Sequence, residues 1–249
     1  MNKKYIMGFL LILILLVLGM YLYSRYSNHQ AQQSANEYLQ SAESTPAEAS
    51  PIQDTSSAES QAETNSSANF SGTVALSPEN TKLAWIGRKT LVVGYEDAGS
   101  ISIKSGRAEI KDNKVVSAEA IIDMATIKTL KSGKGKDEDK LTGHLKSEDF
   151  FNVEQYPTSE LKISQAKLVS DSGGTQNYEF SGSLTMKGIT AEVVFPGTVT
   201  FLGDKVTMQS ETKLDRTKWG VNFGSSKLAD SFIDDLFTLK IYIEAVIVK

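Results

Sequence analysis

Apolar and polar residues alternate over several stretches in the C-terminal two thirds of the chain. In one of them, Tyr178, Phe180 and Leu184 alternate with Glu179 and Ser183. A period of two places successive side chains on opposite faces of a half-buried strand. The final strand shows the same alternation, with apolar positions at Phe237, Leu239, Ile241, Ile243, Ala245 and Ile247. The pattern predicts further strands at about 82–87, 91–96, 98–104, 106–111, 114–124, 159–169, 190–202 and 205–214.

Turn signals separate several of these strands. Asp112-Asn113 and Gly203-Asp204 are typical of tight hairpins, and Gly173-Gly174 also indicates a turn rather than part of a catalytic motif. Neighbouring strands are therefore expected to pair in an antiparallel sheet. A sheet of about ten strands avoids exposed edges best by closing into a barrel. The fold class predicted is an all-β, antiparallel β-barrel with one short helical insertion.

A barrel of about eight strands either fills its interior with side chains or encloses one small ligand. The predicted inward-facing residues are Phe180, Leu184, Phe195, Phe201, Phe237, Leu239 and Ile241. Gly182 and Gly197 lie in the same apolar rows. A glycine there either permits the curvature of the barrel or leaves room for a guest molecule.

The helical insertion is predicted at residues 136–147, which carry acidic residues in the first turn. It leads into a polar connection that contains Phe150, Phe151 and Tyr156. Connections usually run over the surface, so adjacent phenylalanines must bury against something. They either line a cavity or plug the end of the barrel.

The N-terminus carries eighteen uncharged residues from Ile6 to Tyr23, which span roughly 27 Å as a helix. Lys3 and Lys4 precede this run. Residues 1–26 are therefore predicted to form an uncleaved, single-pass transmembrane helix with an extracytoplasmic C-terminal part, at the cell surface or in the periplasm. A signal peptide cleaved near residue 30 is the alternative.

Residues 27–68 are rich in Ser, Ala, Gln and Glu, with no Lys or Arg, and are predicted to form a disordered acidic linker before a barrel domain at 69–249. The net charge of -4 argues against nucleic-acid binding. The chain has no cysteine, and His144 is the single histidine of the barrel domain, so neither a metal site nor a cofactor is predicted. Asp215 and Arg216 are expected to form a structural ion pair or a turn contact rather than a ligand site.

Several motifs together resemble the YceI-like polyisoprenoid-binding family over roughly residues 81–249. The longest runs from His144 to Pro157, and shorter ones are Gly188-Ile189-Thr190, Leu214-Asp215-Arg216 with Trp219-Gly220, and Ile243-Glu244-Ala245. The resemblance implies a lipocalin-like barrel that holds a long isoprenoid or similar amphiphilic lipid, with no catalysis. It implies that Phe150, Phe151, Tyr156 and Trp219 lie in or near the interior.

The combined prediction is a membrane-tethered binding protein for a polyisoprenoid, quinone-like or similar lipid. Its lipid-binding residues are predicted to be Phe150, Phe151, Tyr156, Phe180, Leu184, Phe195, Trp219, Phe237 and Ile241. The alternative is a cell-surface interaction or stress-response scaffold, in which a filled barrel presents loops to a partner.

Overall fold

The computed structural model describes residues 3–41, 69–135, 137–225 and 233–247. In chain order these residues form helix α1, strands β1 to β4, a 3₁₀ turn, helix α2, strands β5 to β8, a 3₁₀ helix and strand β9. The bounds are α1 Lys3–Gln40, β1 Gly72–Leu76, β2 Thr81–Arg88, β3 Glu96–Lys111, β4 Lys114–Lys131, the 3₁₀ turn Gly133–Gly135, α2 Glu138–Lys146, β5 Thr158–Ser172, β6 Thr175–Met186, β7 Ile189–Leu202, β8 Lys205–Asp215, the 3₁₀ helix Arg216–Trp219 and β9 Leu236–Val246.

The strands form a closed antiparallel barrel, as the sequence predicts. The sheet runs in the order β3-β2-β9-β8-β7-β6-β5-β4, and β4 pairs back with β3 to close eight strands. The short strand β1 pairs with the second half of β3, while β2 pairs with its first half. Because β1 and β2 both run antiparallel to the long strand β3, they act as one interrupted strand in the barrel wall.

The two ends of the barrel are built differently. At the hairpin end, two-residue turns join β3 to β4, β5 to β6 and β7 to β8. Asp112 and Asn113 have φ of 52° and 56°, the left-handed geometry that tight hairpins require. This confirms the predicted hairpins. The helical end is where β2 ends and β3, β5 and β9 begin, and it carries α2 and the residues flanking Arg216–Trp219.

Three strand assignments differ from the prediction. Residues 98–104 and 106–111 form the single strand β3, which continues through register shifts near Ser100 and Ile103. These irregularities break the period of two without ending the pairing. Residues 91–96 are mostly a turn, in which the Tyr95 N–H donates to the Val92 carbonyl at 3.0 Å. The short strand β1 was not predicted, although its buried Val74 and Leu76 alternate with the exposed Thr73 and Ala75.

Helix α2 confirms the predicted helical insertion, although it is shorter. It begins after Asp137, whose side chain accepts a hydrogen bond from the Lys140 N–H at 3.1 Å. Glu138 and Asp139 occupy the first turn, where carboxylates interact favourably with the helix dipole.

Helix α1 corrects the predicted boundary of the linker. It continues to Gln40, so residues 27–40 are helical rather than disordered, because this part packs on the outside of the barrel. Ala31 and Ala35, one turn apart, are buried against Ala84, Ile86 and Ala98 of the wall. The rest of the predicted linker, 42–68, lies outside the described residues.

The described residues contain no helix with the length and apolar character that crossing a membrane requires. The predicted transmembrane helix at residues 1–26 is therefore not supported by the structure.

Candidate functional site

A cavity of about 380 Å³ lies inside the barrel. Its wall is almost entirely apolar and includes residues from every strand. Seven predicted lipid-binding residues line it, together with the predicted inward-facing Leu239: Phe150, Phe151, Phe180, Leu184, Phe195, Phe237 and Ile241. The inward rows of the strands thus enclose space instead of filling it. Phe201, also predicted to face inward, is buried in the core near the hairpin end but does not line the cavity.

The polar lining residues lie mainly at the helical end. Apart from Thr81 and Thr212, they come from the ends of strands and the adjoining segments: Arg88, Lys89, Asp97, His144, Ser159, Arg216 and Asp234. Towards the hairpin end the wall is apolar, with Val74, Ile110, Val115, Val199 and Val206. The cavity is therefore polar at one end and apolar at the other.

The cavity reaches the surface at the helical end. Among the described residues that line it, Arg88 and Phe223 are exposed, with 43% of the Arg88 side chain and 45% of Phe223 accessible. The lining residues near the hairpin end are buried or half-buried. A molecule that occupies the cavity therefore has its exit beside Arg88 and Phe223.

The aromatic connection after α2 closes part of this end. The Phe150 ring packs edge-on against Phe151 at 5.4 Å and against His144 at 5.6 Å, and His144 packs on Phe223 at 4.7 Å. The Phe151 N–H donates back to the Leu145 carbonyl at 3.1 Å, which holds the connection under the helix. Phe150 and Phe151 thus form a wall at the end of an open cavity. The His144 ring packs α2 against Phe150 and Phe223.

Two predicted lipid-binding residues lie outside the cavity lining. Trp219 is fully buried in the wall, and its indole N–H donates to the Leu184 carbonyl at 2.8 Å. Tyr156 packs over Gly188 in the turn between β6 and β7. Both rings therefore pack on the barrel wall without lining the cavity. They lie in connections between strands, so the alternation within strands does not determine where they point.

Arg216 fastens the segments that flank the opening. It is 3% exposed and donates to the carbonyls of Val221 at 2.7 Å, Phe223 at 3.0 Å, Asp234 at 3.0 Å and Ile233 at 3.2 Å. Its guanidinium also lies 5.5 Å from the Phe150 ring centre. Burial lowers the pKa of Arg216, and this effect is larger than the opposite effect of the nearby Asp235 carboxylate. The structural role predicted for Arg216 is confirmed.

Asp215 also has the structural role predicted for it. Its carboxylate caps the 3₁₀ helix by accepting bonds from the Thr217 N–H at 2.9 Å and the Thr217 hydroxyl at 2.6 Å.

Asp97 is a buried acid at the same end. Its carboxyl accepts bonds from the Gly133 N–H at 2.8 Å and the Ser132 hydroxyl at 3.3 Å. Burial raises the pKa of Asp97 more than these hydrogen bonds lower it. Burial, and then the Asp97 charge, raise the pKa of the neighbouring Tyr95 to about 12.

The three described cations that line the cavity all have partners. Arg88 pairs with Glu96 at 2.6 Å, and the Lys89 ammonium lies 4.5 Å from the Tyr95 ring centre. Arg216 donates hydrogen bonds to backbone carbonyls. Within the described part of the chain, no group of three or more His, Asp or Glu side chains is placed to hold a metal ion. Among the described residues that line the opening, no unpaired cation is placed to bind a phosphate group.

The two glycines in the apolar rows serve close packing. A Cβ on Gly182 would collide with the backbone of Lys162 and Ile163 on β5. A Cβ on Gly197 would collide with the Phe180 ring. Neither glycine leaves room for a guest, which favours the curvature interpretation.

Trp85 is a cavity residue that the sequence analysis did not identify. It shares the inward face of β2 with Thr81, Leu83 and Gly87, and its ring lies over Gly99 of β3. The alternation Thr81-Leu83-Trp85 carries the signal that identifies it. Its indole nitrogen and the Ser159 hydroxyl are buried without a hydrogen-bond partner.

Comparison with known proteins agrees with this geometry. A family model described as a YceI-like domain matches residues 61–245. No curated relative matches the sequence. Burkholderia cenocepacia BcnA has a TM-score of 0.51 and 22% identity, covering 67% of this chain and 96% of its own. A polyisoprenoid-binding domain from Saccharophagus degradans, implicated in plant cell wall breakdown, has a TM-score of 0.53 and 13% identity, covering 72% of this chain and 100% of its own. These two structures share the fold.

Proposed function

The chain belongs to the YceI-like domain family, and from this premise we propose that its barrel binds one long, largely apolar lipid, such as a polyisoprenoid or quinone-like molecule. The observation that carries the proposal is the apolar cavity of about 380 Å³ inside a closed barrel. Pockets for small amphiphiles have this character, an apolar wall with a few polar groups at one end. The polyisoprenoid-binding domain from Saccharophagus degradans supports the choice of ligand class.

The apolar wall is sufficient to hold such a ligand. Burial of one CH₂ group contributes about 0.8 kcal/mol, so a five-carbon isoprene unit contributes about 3 to 4 kcal/mol. A few units give strong binding after the ordering cost of association. No charged contact is required, which suits a ligand whose tail occupies the apolar end of the cavity.

The charges at the opening favour a ligand without a phosphate group inside the cavity. Arg88, Lys89 and Arg216 already have partners, and the three acids Glu96, Asp97 and Asp234 balance their three positive charges. A neutral oxygen head group is compatible with this environment. A phosphorylated head group is expected to remain outside, in solvent.

Native mass spectrometry of the full chain after expression in bacteria tests the proposal. We expect a mass excess equal to one lipid per chain, which disappears after organic extraction and returns on addition of an isoprenoid. A chain that is free of lipid and takes up none would contradict it. The scaffold with a filled barrel has no support from the described interior, which contains open space.

We propose from the sequence that the chain is membrane-anchored, with its barrel on the extracytoplasmic side. The support is the uncharged run from Ile6 to Tyr23, preceded by Lys3 and Lys4. Alkaline extraction should leave the chain in the membrane fraction, and protease added to cells stripped of outer barriers should remove the barrel. Release by alkali, or protection from protease, would overturn this assignment.

A further inference from the structure

Exposed apolar side chains cluster beside the cavity opening. Leu91 and Val93 are 65% and 63% exposed on the connection between β2 and β3, and Phe223 and Leu236 are each 45% exposed. We call these four residues the apolar rim. The connections that carry them are joined by backbone hydrogen bonds, from Asp234 to Arg88 at 2.9 Å and from Ile233 to Gly224 at 3.0 Å.

The apolar rim borders the route that a ligand must take. Phe223 lines the cavity, while Leu91 and Val93 lie on the connection that begins at the lining residues Arg88 and Lys89. Leu91 and Val93 take no part in the described hydrophobic core. Clustered exposed apolar residues next to a binding site indicate an interaction surface.

Helix α1 leaves the barrel at this same end. Near the C-terminus of α1, the centre of the Tyr38 ring lies 5.8 Å from the Lys82 ammonium, close to the start of β2. The helix also contacts the 3₁₀ turn Gly133–Gly135, which lies at the helical end. The helix therefore runs along the wall, and the part of α1 that lies N-terminal to the buried Ala31 extends past the opening. That extension bears exposed apolar side chains, with Ile14, Leu16, Val17, Leu18 and Leu22 between 48% and 61% accessible.

From these placements we propose that the apolar rim docks on the surface of a lipid bilayer. The rim and the extension of α1 both lie at the helical end, so one bilayer surface can cover both. The inference rests on the proposed function, because a lipid ligand can then pass between bilayer and cavity without crossing water. The four rim side chains carry no charge, so the contact is apolar rather than electrostatic and docking needs no anionic lipid.

The absence of cysteine from the chain allows a direct test. Val93→Cys and Val169→Cys place single labels on opposite ends, at residues that are 63% and 64% exposed. In full chain reconstituted with phosphatidylcholine vesicles, a polarity-sensitive fluorophore at 93 should shift to the blue and be quenched by nitroxide-bearing lipids. The label at 169 should remain in water. A label at 93 that stays in an aqueous environment overturns the proposal. That is the result expected if the rim binds a protein partner instead of lipid.

A second measurement relates docking to ligand transfer. Leu91→Glu with Val93→Glu should slow uptake of a fluorescent isoprenoid alcohol from vesicles by about tenfold or more, since burial of these side chains in lipid is lost. The matched control, Val169→Glu with Leu202→Glu, changes residues of similar exposure at the hairpin end and should leave the rate unchanged. Equal rates in both variants contradict the docking proposal.

The outcome separates docking from lipid binding. Equilibrium binding of the same alcohol, supplied without vesicles, should be equal in wild type and both variants. If the wild type binds it but the 93 label stays aqueous, docking is wrong and the proposed function stands. If the 93 label enters the bilayer but no alcohol binds, the proposed function is wrong.

Discussion

The two ends of this barrel close by different physical means. At the hairpin end, each closure is a two-residue turn whose backbone geometry is set by local residues such as Asn113 and Gly203. The helical end has one such turn, Lys187-Gly188 between β6 and β7, but the rest of its closure depends on Arg216, the Phe150 cluster and helix α2, which come together only in the folded chain. The end closed by tertiary contacts is also the end that carries the opening. Under the proposed function, exchange of the lipid therefore depends on the helical end, whereas the hairpin end stays closed by its local turns.

The largest expected effect comes from removing Arg216. In Arg216→Met, four backbone carbonyls lose their donor, and the free energy of unfolding should fall by about 4 kcal/mol or more. Arg216→Lys keeps the charge but not the planar fork, and should lose roughly half as much. Denaturant titration of both variants measures this. A loss below about 1 kcal/mol in Arg216→Met would show that Arg216 does not hold the helical end together.

A matched pair of phenylalanines separates stability from binding. Phe150 at the helical end and Phe201 near the hairpin end are 6% and 8% exposed, but only Phe150 lines the cavity. Both Phe150→Ala and Phe201→Ala should lower the free energy of unfolding by about 3 kcal/mol. Only Phe150→Ala should also weaken retention of lipid, followed by native mass spectrometry. Equal retention in the two variants would mean that Phe150 is a plug and not a wall.

A turn glycine tests the local character of the hairpin end. Gly203 has φ of 62°, and a Cβ added there meets no neighbouring atom. Gly203→Ala should therefore cost about 1 kcal/mol through backbone strain alone and leave lipid binding unchanged. Thermal unfolding with a lipid-binding assay checks both points. Altered lipid binding would show that the two ends are coupled.

The smallest expected effect is a dependence of stability on pH from Asp97. Because burial raises the pKa of Asp97 above 3.8, the folded chain binds this proton more tightly than the unfolded chain. Its contribution to stability is therefore lost as the pH rises from 3.8 through the raised pKa. Asp97→Asn stays neutral and should gain stability relative to wild type over that range. Parallel unfolding curves at all pH values would refute this.

The sequence predicted those features that local rules determine. Alternation predicted the closed barrel and most of its inward rows, and Asp112-Asn113 predicted a hairpin. The continuous course of β3 was missed because its bulges interrupt the period of two. The helical part of residues 27–40 was missed because its burial comes from the barrel wall, which no local pattern reveals.

The site was predicted in part for the same reason. Phe180, Leu184 and Phe237 lie on regular strands, so the alternation of apolar and polar residues correctly predicted that they face the interior. Tyr156 and Trp219 lie in connections, where the direction of a side chain depends on contacts distant in sequence. Whether the interior is hollow depends on small volume differences between facing side chains, which alternation does not measure.

Titration with a twenty-carbon isoprenoid alcohol tests the central claim most directly. Ala118 on β4 lines the cavity beside Ala108, its pairing partner on β3. Val116 is 43% exposed and does not line the cavity. The wild type and the control Val116→Phe should each bind one lipid per chain. Ala118→Phe should fold but bind at least about tenfold more weakly, because its ring takes the space of the ligand. Equal binding by Ala118→Phe and Val116→Phe, or no binding by the wild type, would contradict a lipid site inside the barrel.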